Sequence, residues 1–381
     1  MFSLFLLFFS FSRFCVFLQF CREIWGRIGV VGGGSFRGLI PVAGNFVFLP
    51  AMSKNVAVIG GGSWATAIAK ILLNNQEELH WWVREPEILE GLQTEGINPL
   101  YLSAVEFPVE RLHVSSDINQ VVDAADTLVM VVPAVYLPGA LQSLETGALQ
   151  GKRICSAIKG IIPGHDQVVC EYLRDAFEVP EENLAAISGP SHAEEIALNR
   201  LTYLTAASRN PELAEHIARL FSCEYVRTRC SDDVYGIEYA AVMKNVYALA
   251  VGIAKGLGYG DNFVSVLVSN ALEEMRVFLE KVHDIKRNLN SASYLGDLLV
   301  TSYSQFSRNR TFGNMIGQGY SVKSAILEMK MVAEGYYASG SVHAIKQNFQ
   351  VAMPIFEAVH AVLYESRSPR RVFRQLEALF S

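Results

Sequence analysis

The sequence predicts an α/β protein: a doubly wound, mostly parallel sheet covered by helices, followed by an all-helical second domain. Three observations carry this reading. Short apolar runs alternate with helix-like segments from Asn55 to about Asp232. The first of those runs ends in a glycine-rich turn that opens a helix. Beyond Asp232 the texture changes to long stretches with a 3.6-residue period and no confident strand.

Taken in order, the strand-like runs are NVAVIG, ELHWWV, TLVMVVP, RICSAIKG, NLAAISGP and LTYLTAAS. Their near-continuous apolar character suits strands buried on both faces. Helix-like runs lie between them, among them PEILEGLQTEG, INQVVDAA, QVVCEYLRDAF and NPELAEHIARLFS. Val234–Lys255 and Val264–Val282 are the longest helical stretches of the second part. The expected organisation is residues 1–51 as an extension outside the fold, 52–231 as a nucleotide-binding domain and 232–381 as a helical substrate domain. In open sheets of this kind ligands bind beyond the carboxyl ends of the strands, which places the substrate in a cleft there.

A nucleotide-binding turn must stop a strand sharply, let the backbone approach a pyrophosphate, and start a helix whose free N–H groups face it. Val56–Ile59, then Gly60, Gly62 and Ala65, then Trp64–Leu73 meet all three demands with G-x-G-x-x-A spacing. A second copy, RIGVVGGGSFRGLIP from Arg27, fails the third. Arg37 takes the close-packing position, and Gly38 and Pro41 interrupt any helix that follows. Where the second strand ends, Arg84 precedes Glu85. An arginine there suits a 2′-phosphate and an acid suits free ribose hydroxyls; the position favours Arg84, so NADPH is expected to be usable and to be the preferred cofactor, with NADH still open.

Residues 1–51 hold 11 of the 22 phenylalanines, four arginines, one glutamate, and no lysine or aspartate. Their net charge is +3, which leaves −9 for the remainder. The apolar start competes as membrane anchor, targeting peptide or extension. Arg13 inside it, a missing basic start and a missing cleavage site favour the extension, with Met52 as the true start and a cytoplasmic enzyme as the result. Only if residues 1–51 are translated is membrane association expected. The acidic remainder argues against nucleic acid as partner. Cys155, Cys170, Cys223 and Cys230 show no metal-ligand spacing, so no metal is expected and the four are read as reduced thiols in a core.

Several polar residues stand where apolar ones would be cheaper. Lys159 follows an apolar strand in SAIKGIIPG, and Gly189, Pro190 and Ser191 close another in SGPSHAEE. Lys244 and Asn245 sit in the apolar helix GIEYAAVMKNVYALAVGIAKGLGYG. Asp297, Thr301, Ser307, Arg308 and Asn309 are interleaved with apolar residues in YLGDLLVTSYSQFSRNRTFG. Burial lowers a lysine's pKa toward a useful acid–base range. One such lysine reads as a snorkelling surface residue; four such segments together read as a site.

Together VIGGGSWATAIA, SAIKGI, ISGPSHAEE, the Lys-Asn helix, LGDLLVTSYSQFSRNRTFG and VAEG closely resemble, in that order, the motifs of bacterial-type NAD(P)-dependent glycerol-3-phosphate dehydrogenases across residues 54–380. The resemblance implies a Rossmann domain followed by a helical domain of the 6-phosphogluconate dehydrogenase C-terminal type. It implies reduction of dihydroxyacetone phosphate to sn-glycerol 3-phosphate with NAD(P)H, no metal, and a homodimer. It assigns Lys244 as acid–base group, Lys159 as second active-site lysine, and Asp297, Asn245 and Thr301 as their partners. Ser307, Arg308 and Asn309 match the substrate-phosphate end, and Gly189 and Ser191 the substrate pocket. Gly60, Gly62, Ser63, Trp64, Arg84, Lys159, Ala193, Arg308, Val332 and Glu334 match cofactor positions.

The chain departs from the family's pattern in places. Ala65 replaces a usual glycine, YAAVM replaces a small glycine-rich run, and VTS replaces a cysteine-containing end. Tyr294, before G-D-L, is expected to narrow the pocket. Two other classes fit these motifs less well. A related dehydrogenase for a small hydroxyacid would carry a different lysine helix and no S-R-N-R loop, and a non-catalytic NAD(P)-binding protein would lack the two lysines.

Overall fold

The computed structural model describes residues 55–329 and 333–380; the extension 1–51, the glycine copy within it, and Val332 lie outside the described residues. Eight strands form one sheet in the order β3-β2-β1-β4-β5-β6-β7-β8. They are β1 Val56–Ile59, β2 Leu79–Trp82, β3 Leu112–Ser115, β4 Thr127–Met130, β5 Arg153–Ser156, β6 Leu184–Ser188, β7 Thr202–Ala207 and β8 Val226–Ser231. All neighbours run parallel except β6 and β7. The chain winds outward from β1 to β3, then restarts at β4 on the other side of β1, so the crevice between β1 and β4 lies at the switch of direction.

The helices between strands include α1 (Ser63–Leu72), α2 (Pro86–Thr94), α3 (Ile118–Asp123), α4 (Leu137–Leu141), α5 (Val169–Phe177), α6 (Ala193–Ala197) and α7 (Pro211–Phe221). β1 and β4 are wholly buried, as their unbroken apolar sequences require. β3 and β8 were not foreseen as strands. Both are sheet edges, and their sequences LHVS and VRTRCS carry polar residues at half-exposed positions. The edge position of β8 also corrects the placing of the cysteines. Cys155 and Cys170 are buried, but Cys223 is half-buried and Cys230 exposed.

After Ser231 no strand occurs among the described residues. Helix α8 (Val234–Gly256) is buried from Val234 to Ala254 and therefore shows no polar stripe. Around it pack α9 (Asp261–Val282), α10 (Asp297–Tyr303), α11 (Arg308–Gly317), α13 (Glu334–Phe349) and α14 (Pro354–Leu363), with α12 (Val322–Glu328) and α15 (Pro369–Glu377) outside. Asp233 caps α8 by accepting the Gly236 N–H at 3.1 Å, and it also binds the Arg287 guanidinium and the Tyr294 hydroxyl. Tyr294 lies in a single π-turn, Ala292–Gly296, that runs into α10 at Asp297. Tyr294 is thus turned away from the cleft to anchor the turn, and it does not narrow the pocket.

Helices α8 and α11 meet backbone to backbone. A Cβ added at Gly252 would lie 2.1 Å from the Arg310 carbonyl oxygen, and one at Gly313 would lie 2.2 Å from that of Leu249. Gly252→Ala is therefore expected to destabilise the protein by about 1–3 kcal/mol, outweighing a helix-propensity gain of roughly 1 kcal/mol. A urea-unfolding midpoint at or above the wild-type value would show that the contact is loose.

Candidate active site

Gly60 follows β1 at φ 136°, and a Cβ there would sit 3.0 Å from the main chain of Val131, the residue after β4. Only glycine lets the two strand ends come this close. Gly62 has an ordinary extended backbone, and a Cβ there would meet nothing within 4 Å. Its open side belongs to a cavity of about 980 Å³ that Gly60, Gly62, Ser63 and Trp64 line at the start of α1. No side chain caps that helix start. Bare amides, a positive helix end and the space left by a missing side chain together fit the pyrophosphate of a dinucleotide.

Asn98, fully buried, braces the loop: its amide donates to Gly61 O and Thr66 Oγ1, both at 2.9 Å. It escaped the sequence reading because Asn-Pro in GINPLY signals only a turn. Trp64 donates its indole N–H to Ala157 O at 2.9 Å. Ala65 is fully buried, so the extra methyl is accommodated at the helix–sheet contact. Arg84 lines the cavity, pairs with Glu85 at 2.8 Å and lies over the Tyr136 ring.

The same cavity reaches the charged centre. Lys244 from α8 is 5 % exposed and Asp297 from α10 is 1 % exposed. Lys244 Nζ donates to Asp297 Oδ1, and Lys159 Nζ, just beyond β5, lies 3.4 Å from Asp297 Oδ2. Lys159 also donates to Gly189 O and Ser191 Oγ, each at 3.2 Å, and stands 5.5 Å above the centre of the Trp64 ring. Ser188 adds a hydroxyl to Asp297 Oδ2 at 3.3 Å. Burial would push the Asp297 carboxyl up, but the Lys159 and Lys244 charges overcome it and hold the group below its usual range. Burial acts the other way on Lys244, and Lys159 adds to it, so the ammonium is pushed down to about 7 despite Asp297.

The remaining expected residues divide into cavity-facing and bracing groups. Asn245 donates to the Lys159 carbonyl at 3.0 Å, and Thr301 donates to the main-chain carbonyl of Asp297 at 2.7 Å. Ser307 caps α11, and Asn309 Oδ1 accepts the Gly335 N–H at 2.9 Å. Arg308, exposed at the first position of α11, faces the cavity and makes no hydrogen bond or ion pair with a described residue. Ala193 and Glu334 line the cavity as well. Burial pushes the Glu334 carboxyl up to about 7, against the pull of Arg308. Gly189 does not face the cavity. It supplies a carbonyl to Lys159, and at φ 148° a Cβ would fall 2.3 Å from Tyr203 O on β7. His192 lines the cavity beside Ser191 and had no assigned role.

A switch-point cleft with a glycine-rich phosphate turn, opening on a buried lysine–aspartate–lysine cluster, defines an NAD(P)-dependent oxidoreductase. Residues 55–214 and 233–374 match the two parts, N-terminus and C-terminus, of the NAD-dependent glycerol-3-phosphate dehydrogenase family. The chain belongs to this family. It is 35 % identical over 324 residues to glycerol-3-phosphate dehydrogenase [NAD(P)+] 1 of Salinibacter ruber, covering 85 % of this chain and 95 % of that one. It is also 35 % identical over 323 residues to the Oceanobacillus iheyensis enzyme of the same name, with 85 % and 93 % covered. The crystal structure of glycerol-3-phosphate dehydrogenase from Coxiella burnetii superposes with a TM-score of 0.78 at 29 % identity, over 85 % of this chain and 98 % of that one.

The open side of Gly62 yields a separable test. Gly62→Val is expected to leave stability within roughly 0.5 kcal/mol while weakening NADH and NADPH binding at least about tenfold. Quenching of the cavity-lining Trp64 and Trp82 fluorescence reports the binding. Undiminished quenching at wild-type nucleotide concentrations would place the phosphates elsewhere.

Proposed function

We propose that the enzyme reduces dihydroxyacetone phosphate to sn-glycerol 3-phosphate, reversibly, at the expense of NAD(P)H, and so supplies the head-group precursor for glycerophospholipid synthesis. The observation that carries the reading is one buried carboxylate, Asp297, shared by two ammonium groups at the end of a nucleotide cleft. The Arg308 guanidinium, without a hydrogen bond or ion pair among the described residues, faces that cleft. Family membership and the names of the relatives point the same way.

A reduced nicotinamide, when bound, supplies hydride to the substrate carbonyl carbon. The carbonyl oxygen then gains negative charge and needs a proton. Lys244, poised near neutrality, gives that proton in reduction and takes it back in oxidation. Asp297 keeps Lys244 oriented, and its negative charge prevents two neighbouring ammonium groups from discharging each other. Lys159 brings a second positive charge to favour the developing alkoxide. Arg308 offers a planar fork to the phosphate dianion, with Asn309 and Ser307 fixing the start of its helix. Ser191 holds Lys159 in place from the substrate side.

Gly60, Gly62, Ser63, Trp64, Arg84, Ala193 and Glu334 are the proposed cofactor contacts, with Lys159 and Arg308 shared between cofactor and substrate; Val332 completes the set by resemblance. On the same reading residues 52–231 hold the cofactor and 232–381 the substrate, and the enzyme works in the cytoplasm as a homodimer. The paired Arg84 and Glu85 are compatible with either nucleotide.

Lys244→Ala is expected to lower turnover of dihydroxyacetone phosphate by about 10²–10⁴-fold, measured as loss of the nicotinamide absorbance band. In the wild type, reduction should decline as pH rises through about 7, where Lys244 loses its proton, and oxidation should decline as pH falls through the same range. Retained turnover with an unchanged pH profile in the variant would exclude Lys244 as the proton donor. Arg308→Ala should raise the KM for dihydroxyacetone phosphate at least about tenfold; a KM equal to wild type would remove the guanidinium from the phosphate site.

A further inference from the structure

Three successive carbonyls of the glycine turn are each held by a different side chain. The Trp81 indole N–H, on β2, donates to Gly60 O at 2.6 Å. The Asn98 amide donates to Gly61 O at 2.9 Å, and the Thr66 hydroxyl to Gly62 O at 3.2 Å. All three holders are fully buried, and none of them lines the cavity. Two of them are joined, since the Asn98 amide also donates to Thr66 Oγ1 at 2.9 Å. Asn98 is fixed from behind as well, where its Oδ1 accepts the Leu100 and Tyr101 N–H groups at 3.2 and 3.1 Å.

In a trans peptide the C=O and the N–H point in opposite directions. Carbonyls drawn inward therefore turn the next N–H groups, those of Gly61, Gly62 and Ser63, the other way, and these residues line the cavity. None of the three N–H groups has a hydrogen-bond partner among the described residues. The glycines do not select this orientation themselves. The peptides joining Gly60, Gly61 and Gly62 have no Cβ on either side, and a half-turn of either plane would present a carbonyl oxygen to the phosphates instead.

We infer that Trp81, Asn98 and Thr66 are positioning residues for the cofactor, which lock the glycine turn so that three successive N–H groups face the dinucleotide pyrophosphate. Locking is what makes the turn an anion site before the ligand arrives: successive amides aimed one way form a concavity for an anion, and an unheld glycine run would have to be ordered at the moment of binding. The inference rests on dinucleotide binding at this turn and not on the identity of the substrate.

The experiment titrates the full chain by calorimetry with ADP-ribose, which keeps the pyrophosphate, and with adenosine, which has none, the latter in competition with ADP-ribose. In Asn98→Ala the affinity for ADP-ribose is expected to fall at least about tenfold, while that for adenosine is unchanged. Thr66→Val, which exchanges the hydroxyl for a methyl, should show a smaller loss in the same sense, because the Thr66 N–H still reaches Gly62 O at 3.0 Å. Thr66→Ser, which keeps the hydroxyl, should bind as the wild type does. Thermal melting checks the fold, and the two Thr66 variants decide alone if Asn98→Ala does not fold. An ADP-ribose affinity undiminished in folded Asn98→Ala, equal losses on both ligands, or a Thr66→Ser as weak as Thr66→Val would overturn the assignment. A wild type that binds neither ADP-ribose nor NADH would instead overturn the placing of the cofactor on which it rests.

Discussion

The site depends on a single buried carboxylate that serves two cations. Two ammonium groups this close would otherwise repel each other and pay a large desolvation cost, and burial without a counter-charge would discharge at least one of them. Asp297 resolves this asymmetrically. It bonds Lys244 directly and stands further from Lys159, which also leans on Gly189 and Ser191. The Lys244 ammonium donates to Asp297, and Lys244 is the more buried of the two. That inequality leaves one lysine with a lowered pKa and the other held among several acceptors.

The backbone that carries Asp297 is set by the helical part. The π-turn before it is tied by the Tyr294 hydroxyl to Asp233, and the Arg287 guanidinium grips the same aspartate. Asp233 also caps the helix that carries Lys244. One side chain at the junction of sheet and helices thus sets the start of α8 and the approach to α10 together. The sheet contributes the third member, Lys159, from the end of β5, with Ser188 from β6 beside it.

Much of this was legible in the chain. The central strands announced themselves because burial on both faces demands unbroken apolar runs, whereas β3 and β8, half-exposed at the edges, carry polar residues that hide them. The antiparallel turn of β7 against β6 leaves no local mark in LTYLTAAS. Lys244 and Asp297 stood out because charges in apolar helices are costly. His192 did not, since a histidine ahead of a short helix is an ordinary sight and only the fold reveals that its Nε2 is buried without a hydrogen-bond partner among the described residues. Gly189 looked like a pocket residue, yet its need is steric and lies on the far side, against Tyr203. Tyr294 likewise pointed away from the place its position suggested.

The glycine seam between α8 and α11 has a further meaning for recognition. Lys244 is fixed to one of these helices and Arg308 to the other, and glycines on both sides bring their backbones into contact. The proposed proton donor and the proposed phosphate clamp therefore ride on two helices in direct backbone contact. On the proposed roles such a pair would work as a gauge of the reach from carbonyl to phosphate, and a shorter or longer phosphoester would fit it poorly.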